Sequence, residues 1–171
     1  MTLFRLGYVA MSVNLQNASP SQTLTYKKFE QIQDREAALR KLERIAKSNI
    51  QNCVRLLKHN KAYDINFFRL SSRLIPLATH EELEDWNYLA AIKEDLRELG
   101  TFARENEMRL DFHPDHFVVL NSPNKNIFKT SMAVLKYHYL LLHHMGIDPT
   151  HRCVFHLGGA IKIQRNHSND S

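Results

Sequence analysis

The sequence predicts an α/β chain in which parallel strands alternate with helices. Short runs of strand-forming residues recur four times, over residues 4–9, 65–70, 108–112 and 152–157. Between them lie three stretches in which apolar residues return at helical spacing. Strands and helices that alternate in this way run parallel and are joined by right-handed crossovers. Either an open doubly wound sheet or a TIM (β/α)8 barrel fits this order. No Gly-x-Gly-x-x-Gly follows the first strand, which disfavours a dinucleotide-binding sheet. A barrel needs eight strands and about 200 residues or more. With 171 residues and about four strands joined by three crossover helices, the chain supplies half of one.

Each element has a local reason. The first strand, over residues 4–9, leads into a polar stretch over residues 12–34 rich in Asn, Ser, Gln and Thr. A connection of that length is uncommon in a compact domain unless it has a task or carries a small helix of its own. Asp34 is placed to cap a helix over residues 35–59, whose inward face is Leu39, Leu42, Ile45, Ala46, Ile50, Cys53, Val54 and Leu57. The second strand, INFFRL, precedes the loop SSRLIPLAT. Thr79-His80-Glu81-Glu82 then matches a capping box. It predicts a helix from there to Phe102, with Leu83, Trp86, Leu89, Ala90, Leu96, Leu99 and Phe102 on one side. Gly100 weakens that helix by about 1 kcal/mol relative to alanine.

The third strand breaks at His113-Pro114, because a residue before proline is steered away from helix and proline cannot donate to a ladder. A helix follows over residues 125–145, with Phe128, Val134, Leu135, His138, Leu142 and Met145 inward and Gly146 as its left-handed cap. After the fourth strand a fourth helix is due, yet the tail IKIQRNHSNDS has no amphipathic pattern. The expectation is a truncated half-barrel domain over residues 1–160 with a divergent polar tail over residues 161–171.

The apolar fraction of 43% and charged fraction of 24% are those of an ordinary globular protein. No apolar run approaches the roughly 20 residues that span a bilayer, and no secretory leader pattern opens the chain. The lone cysteines Cys53 and Cys153 read as packed thiols of a reducing cytoplasm. The net charge of +5 is mildly favourable to a polyanionic partner.

In parallel α/β architectures the site lies at the C-terminal ends of the strands. Alternation puts Arg109, Asp111 and His113 on one face of the third strand and Leu110 and Phe112 on the other. His156 ends the fourth strand. Two imidazoles delivered by neighbouring strands make half of a metal site; the plain alternative is a pair of hydrogen-bonded structural histidines. Asp111 is expected to be a buried partner, of Arg69 across the sheet or of Arg109. His138, His143 and His144 fall along a helix, where a packed or solvated role fits them, and His80 serves a helix start. Arg73, Lys125 and Lys129 could contact phosphates. His116 and Phe117 set two rings side by side on a turn, suited to wedging into or stacking on bases if they do not fold back on the core.

The segments RLGYVAMSVNL, SPSQTLTYKKF, FFRLSSRLIPLATH, FHPDHFVVLNSP and VFHLGGA, in that order, resemble the N-terminal half of the UV damage endonucleases, TIM-barrel relatives of endonuclease IV. The likeness runs from about Phe4 to Ala160. It implies a DNA-repair endonuclease that hydrolyses the phosphodiester 5′ to UV photoproducts in duplex DNA, using divalent ions, manganese being the usual assignment. His113 and His156 match metal ligands of the family, and no catalytic residue beyond the ligands falls in this half. Tyr8 and Asn14 match the pocket for the damaged nucleotides. His116 and Phe117 match the probing pair, where many members have Gln-Tyr; the departure keeps planar shape and loses a hydroxyl. An isolated half is expected to be weakly active or inactive, with open sheet edges that invite self-association. The alternatives are a non-catalytic half-barrel fragment and a sugar isomerase-like barrel.

Overall fold

Alternate positions on three short strands carry apolar side chains, and that parity decides which side of the sheet receives helices. The computed structural model describes residues 6–153. Within them β1 is Gly7–Val9, β2 Phe67–Ser71 and β3 Arg109–His113. The strands are parallel in the order β1-β2-β3, with Gly7 opposite Phe67 and Phe67 opposite Arg109. Phe68, Leu70, Leu110 and Phe112 are fully buried against the helices. Phe67, Arg69 and Ser71 share the other side with Arg109, Asp111 and His113, their partners in register. A parallel bridge from Phe112 to Cys153 shows where a fourth strand would join, next to β3. The rest of that strand, His156 and the tail lie outside the described residues.

The polar stretch after β1 does carry a helix of its own, α1 (Tyr26–Glu30), capped by Thr25 and anchored by buried Phe29. Asp34 caps α2 (Arg35–Ala62) as expected, accepting from the Glu36 amide at 3.0 Å. Ala38, Leu42, Ala46, Ile50, Cys53 and Leu57 form its fully buried stripe, while Leu39 and Ile45 are only half-buried.

The capping-box reading of residues 79–82 needs correction. His80, not Thr79, is the cap, and what it opens is a single 3-10 turn, Glu81–Leu83. The long helix α3 (Tyr88–Glu105) starts afresh with Asn87 as its cap. Leu83 and Trp86 both point into the core, and the Trp86 amide closes a turn onto the Leu83 carbonyl at 3.0 Å. Asn87 offers its side-chain oxygen to the Ala90 amide, and an Asn so placed competes with continuation of a helix through it. Leu96 and Leu99 are buried as the pattern required, whereas Ala90 is exposed.

The last helix, α4 (Lys125–His144), is capped by Asn124, and Gly146 takes φ 67° just beyond its end. Its buried face is Ser131, Tyr137, His138, Leu141 and Leu142. Phe128, expected inward, is 45% exposed: every residue from 125 to 130 is exposed, so among the described residues the first turns have no layer beneath them. α2 packs on α3 and α3 on α4, on the side of the sheet that Phe68 and Phe112 face.

Candidate functional site

The sheet face that bears no helix among the described residues is polar for its width, and Asp111 is its most buried charge. Its carboxylate is held by Arg109, with Nε 3.2 Å from Oδ1 and 3.3 Å from Oδ2, and by Arg152 at 3.8 Å. The expected pairing with Arg69 does not form, although the two are register partners. Arg109, two residues earlier on the same strand, and Arg152, just before the Cys153 bridge, already flank the carboxylate. The Arg69 guanidinium lies instead over the Phe67 ring, 5.4 Å from its centre, and its buried Nε has no hydrogen-bond partner among the described residues.

His113 ends β3 on this same face, half-buried and opposite Ser71. Buried Pro114 then turns the chain, and the Val118 amide closes a turn onto the Asp115 carbonyl at 3.0 Å. The turn pushes His116 and Phe117 into solvent. Their rings meet edge to face, 5.1 Å apart, and Phe117 is 53% exposed, so it does not fold back on the core.

A cleft of about 350 Å³ separates this turn from the loop after β2, with Ser72, Arg73, Thr79, His80, Asp115 and Phe117 among its walls. Arg73 reaches across to Asp115 at 3.7 Å and is otherwise exposed. His80 is the wall residue that sequence reasoning assigned to a helix start alone. Its Nδ1 does accept the Glu82 amide, and its ring stacks on Tyr26 at 4.1 Å. Its position directly after the strand-two loop was the available signal.

Beneath the cleft, His138 is fully buried and stacked on Phe112 at 4.3 Å. Ser72 Oγ lies 2.9 Å from its Nε2 and Cys153 Sγ 3.9 Å from its Nδ1. Burial lowers its pKa to about 4, so the ring is neutral at physiological pH. Burial, with the Asp111 charge nearby, pushes the Cys153 thiol up to about 11, which leaves it unreactive. The packed role expected of His138 is the one observed.

Tyr8 lies on the helix-facing side of β1, opposite Phe68 in register, and donates its hydroxyl to Asn60 Oδ1 at 2.5 Å. Burial raises its pKa, while hydrogen bonds to Asn60 and Ser12 act the other way. Ser12 also accepts the Asn14 amide at 3.3 Å, so Tyr8 and Asn14 are joined through one serine, with Asn14 itself exposed. Lys125 and Lys129 are solvated on the first turns of α4. Among the described residues no three His, Cys, Asp or Glu side chains gather closely enough to hold a metal ion, and no helix is long and apolar enough to cross a membrane.

The family profile described as UV-endonuclease UvdE matches residues 4–169. The chain belongs to that family. It is 61% identical over 158 residues to the UV DNA damage endonuclease of Halalkalibacterium halodurans, a match covering 92% of this chain and 49% of the relative. To the UV DNA damage endonuclease of Bacillus anthracis it is 34% identical, over 98% of this chain and 54% of the relative. The crystal structure of SacUVDE superposes with a TM-score of 0.72 at 32% identity, covering 85% of this chain and 47% of that one. This UvdE chain thus spans about half the length of the curated relatives it matches.

Proposed function

We propose that this UvdE chain is the first half of a TIM-barrel nuclease that incises duplex DNA 5′ to UV photoproducts with the help of divalent metal ions, manganese first among them. The observation that carries the reading is the exposed His116–Phe117 ring pair, held on a short turn that follows His113 at the strand end. Paired rings of this kind can unstack a duplex at a step where stacking is already impaired by damage. Family membership supports DNA as the substrate and gives the sugar isomerase alternative nothing to rest on.

The donor chemistry fits a metal in part. An imidazole at the end of a parallel strand, on the face that carries a buried carboxylate, is a suitable ligand for manganese-type ions. In this reading His113 and His156 hold the ion, completed by groups beyond the described residues. When bound, such an ion polarises the scissile phosphate and lowers the pKa of a water. Arg73 supplies a cation to the phosphate backbone from the opposite wall of the cleft. Tyr8 and Asn14, joined through Ser12, line the pocket for the displaced nucleotides. Among the described residues β1 has no strand on its outer side, and that edge favours self-association or pairing with the complementary half. The two unpaired cysteines agree with a cytoplasmic site of action.

The test is incision of a UV-irradiated duplex by this chain joined to the remaining half of the Halalkalibacterium relative. Nicks mapped to the 5′ side of photoproducts, abolished by chelation and by His113→Ala, are expected. A joined protein that folds yet leaves irradiated DNA intact would refute the reading.

A further inference from the structure

We infer that Ser131 is the positioning residue that holds the probing turn at its working height, an inference that rests on the proposed role of His116 and Phe117. Ser131 lies on α4 and is 2% exposed. Its hydroxyl accepts from the Val119 amide at 2.9 Å and donates to the Val119 carbonyl at 3.3 Å. One hydroxyl therefore satisfies both backbone groups of a residue two places after Phe117, much as a neighbouring strand would.

The adjacent hydroxyl makes the contrast. Thr130 donates its Oγ1 to the Asn126 carbonyl of its own helix, at 2.9 Å, as hydroxyls within helices ordinarily do. Ser131 forgoes that bond and reaches the turn instead. On the near side of the rings the turn is held by buried Pro114 and by the Arg73–Asp115 contact, which is solvated and therefore weak. On the far side Val118 is buried, 5% exposed, and the Ser131 clasp follows directly. A wedge pushed between bases must work against their stacking. A turn free to recede would yield before the duplex does. The buried clasp is the contact placed to resist that recoil.

Three variants of the full chain test this, read two ways. Amide exchange needs no DNA: Ser131→Ala is expected to speed exchange at Val118 and Val119 by about tenfold, the loss of roughly one hydrogen bond's protection. Ser131→Thr, which keeps the hydroxyl, restores the slow rate, and Thr130→Ala leaves it unchanged. The second readout is the preference for UV-irradiated over undamaged duplex, with fluorescence of a 2-aminopurine opposite the lesion reporting ring insertion. Ser131→Ala is expected to lose both preference and fluorescence change while binding undamaged duplex as before. Unchanged exchange in Ser131→Ala overturns the clasp, as does full discrimination by a variant whose turn exchanges fast. If the unsubstituted chain shows no preference, the probing role fails, whereas the exchange rates still decide the clasp.

Discussion

Asn49 and Gln22 exchange two hydrogen bonds of 2.9 Å: the Gln22 amide donates to Asn49 Oδ1, and Asn49 Nδ2 donates to the Gln22 carbonyl. The same Nδ2 reaches the Leu74 carbonyl, also at 2.9 Å. Fully buried on α2, Asn49 thereby binds the long polar stretch before it to the loop that carries Ser72 and Arg73. Asn49→Ala would strand backbone groups from both loops and is expected to cost about 3 kcal/mol. In urea the midpoint should fall with little change in slope. A shift worth less than about 1 kcal/mol would mean that water replaces the amide without loss.

Gly100→Ala reverses what helix propensity alone predicts. The substitution should gain about 1 kcal/mol in an exposed helix, but a Cβ at Gly100 would run into the Met145 backbone carbonyl. That carbonyl is also bonded by the Arg104 guanidinium, so it is not free to move. A net loss of about 3 kcal/mol is expected, since backbone rather than a flexible side chain must yield. Thermal unfolding gives the sign directly.

His138 makes stability depend on pH below neutrality. In the folded chain the ring takes a proton only near pH 4, whereas in the unfolded chain it does so from its ordinary 6.5 downward. Between those values the unfolded chain binds more protons. Stability is therefore complete above 6.5 and declines as the pH falls towards 4. The decline attributable to this ring is about 3 kcal/mol. Comparing His138→Gln with the unsubstituted chain in urea at pH 7.5 and pH 4 isolates it, and equal pH dependence in the two would contradict the burial argument.

Arg73→Ala separates phosphate contact from fold. The Arg73–Asp115 contact is solvated, so stability should change by less than about 0.5 kcal/mol. If Arg73 meets a phosphate as proposed, the slope of log K against log salt for duplex binding should fall by about 0.9. An unchanged slope would remove Arg73 from the interface.

Legibility followed the length scale of each signal. The alternation on β3 placed Leu110 and Phe112 against the helices and Asp111 and His113 away from them, because parity within a strand is a local property. Asp34 as a cap and Gly146 in the left-handed region were equally local. Where several local signals competed, reading failed: His80 and Asn87 each capped a separate element where one helix was expected. Phe128 has the spacing of a core residue and lies in solvent, since periodicity assigns a face but does not say whether anything covers it.

By itself the sequence determined the strand–helix alternation, the family and the ring pair His116–Phe117, all of which are carried by residues close together along the chain. Only the tertiary structure decided that Asp111 binds Arg109 and Arg152 instead of Arg69, that Asn49 clasps two loops, and that Ser131 bonds both backbone groups of Val119. Each of those choices joins groups on different elements or picks among several cations within reach. Hydrogen bonds act over about 3 Å, so which donor meets which acceptor is settled by where the packed helices bring the backbone, and no spacing in the chain encodes that distance.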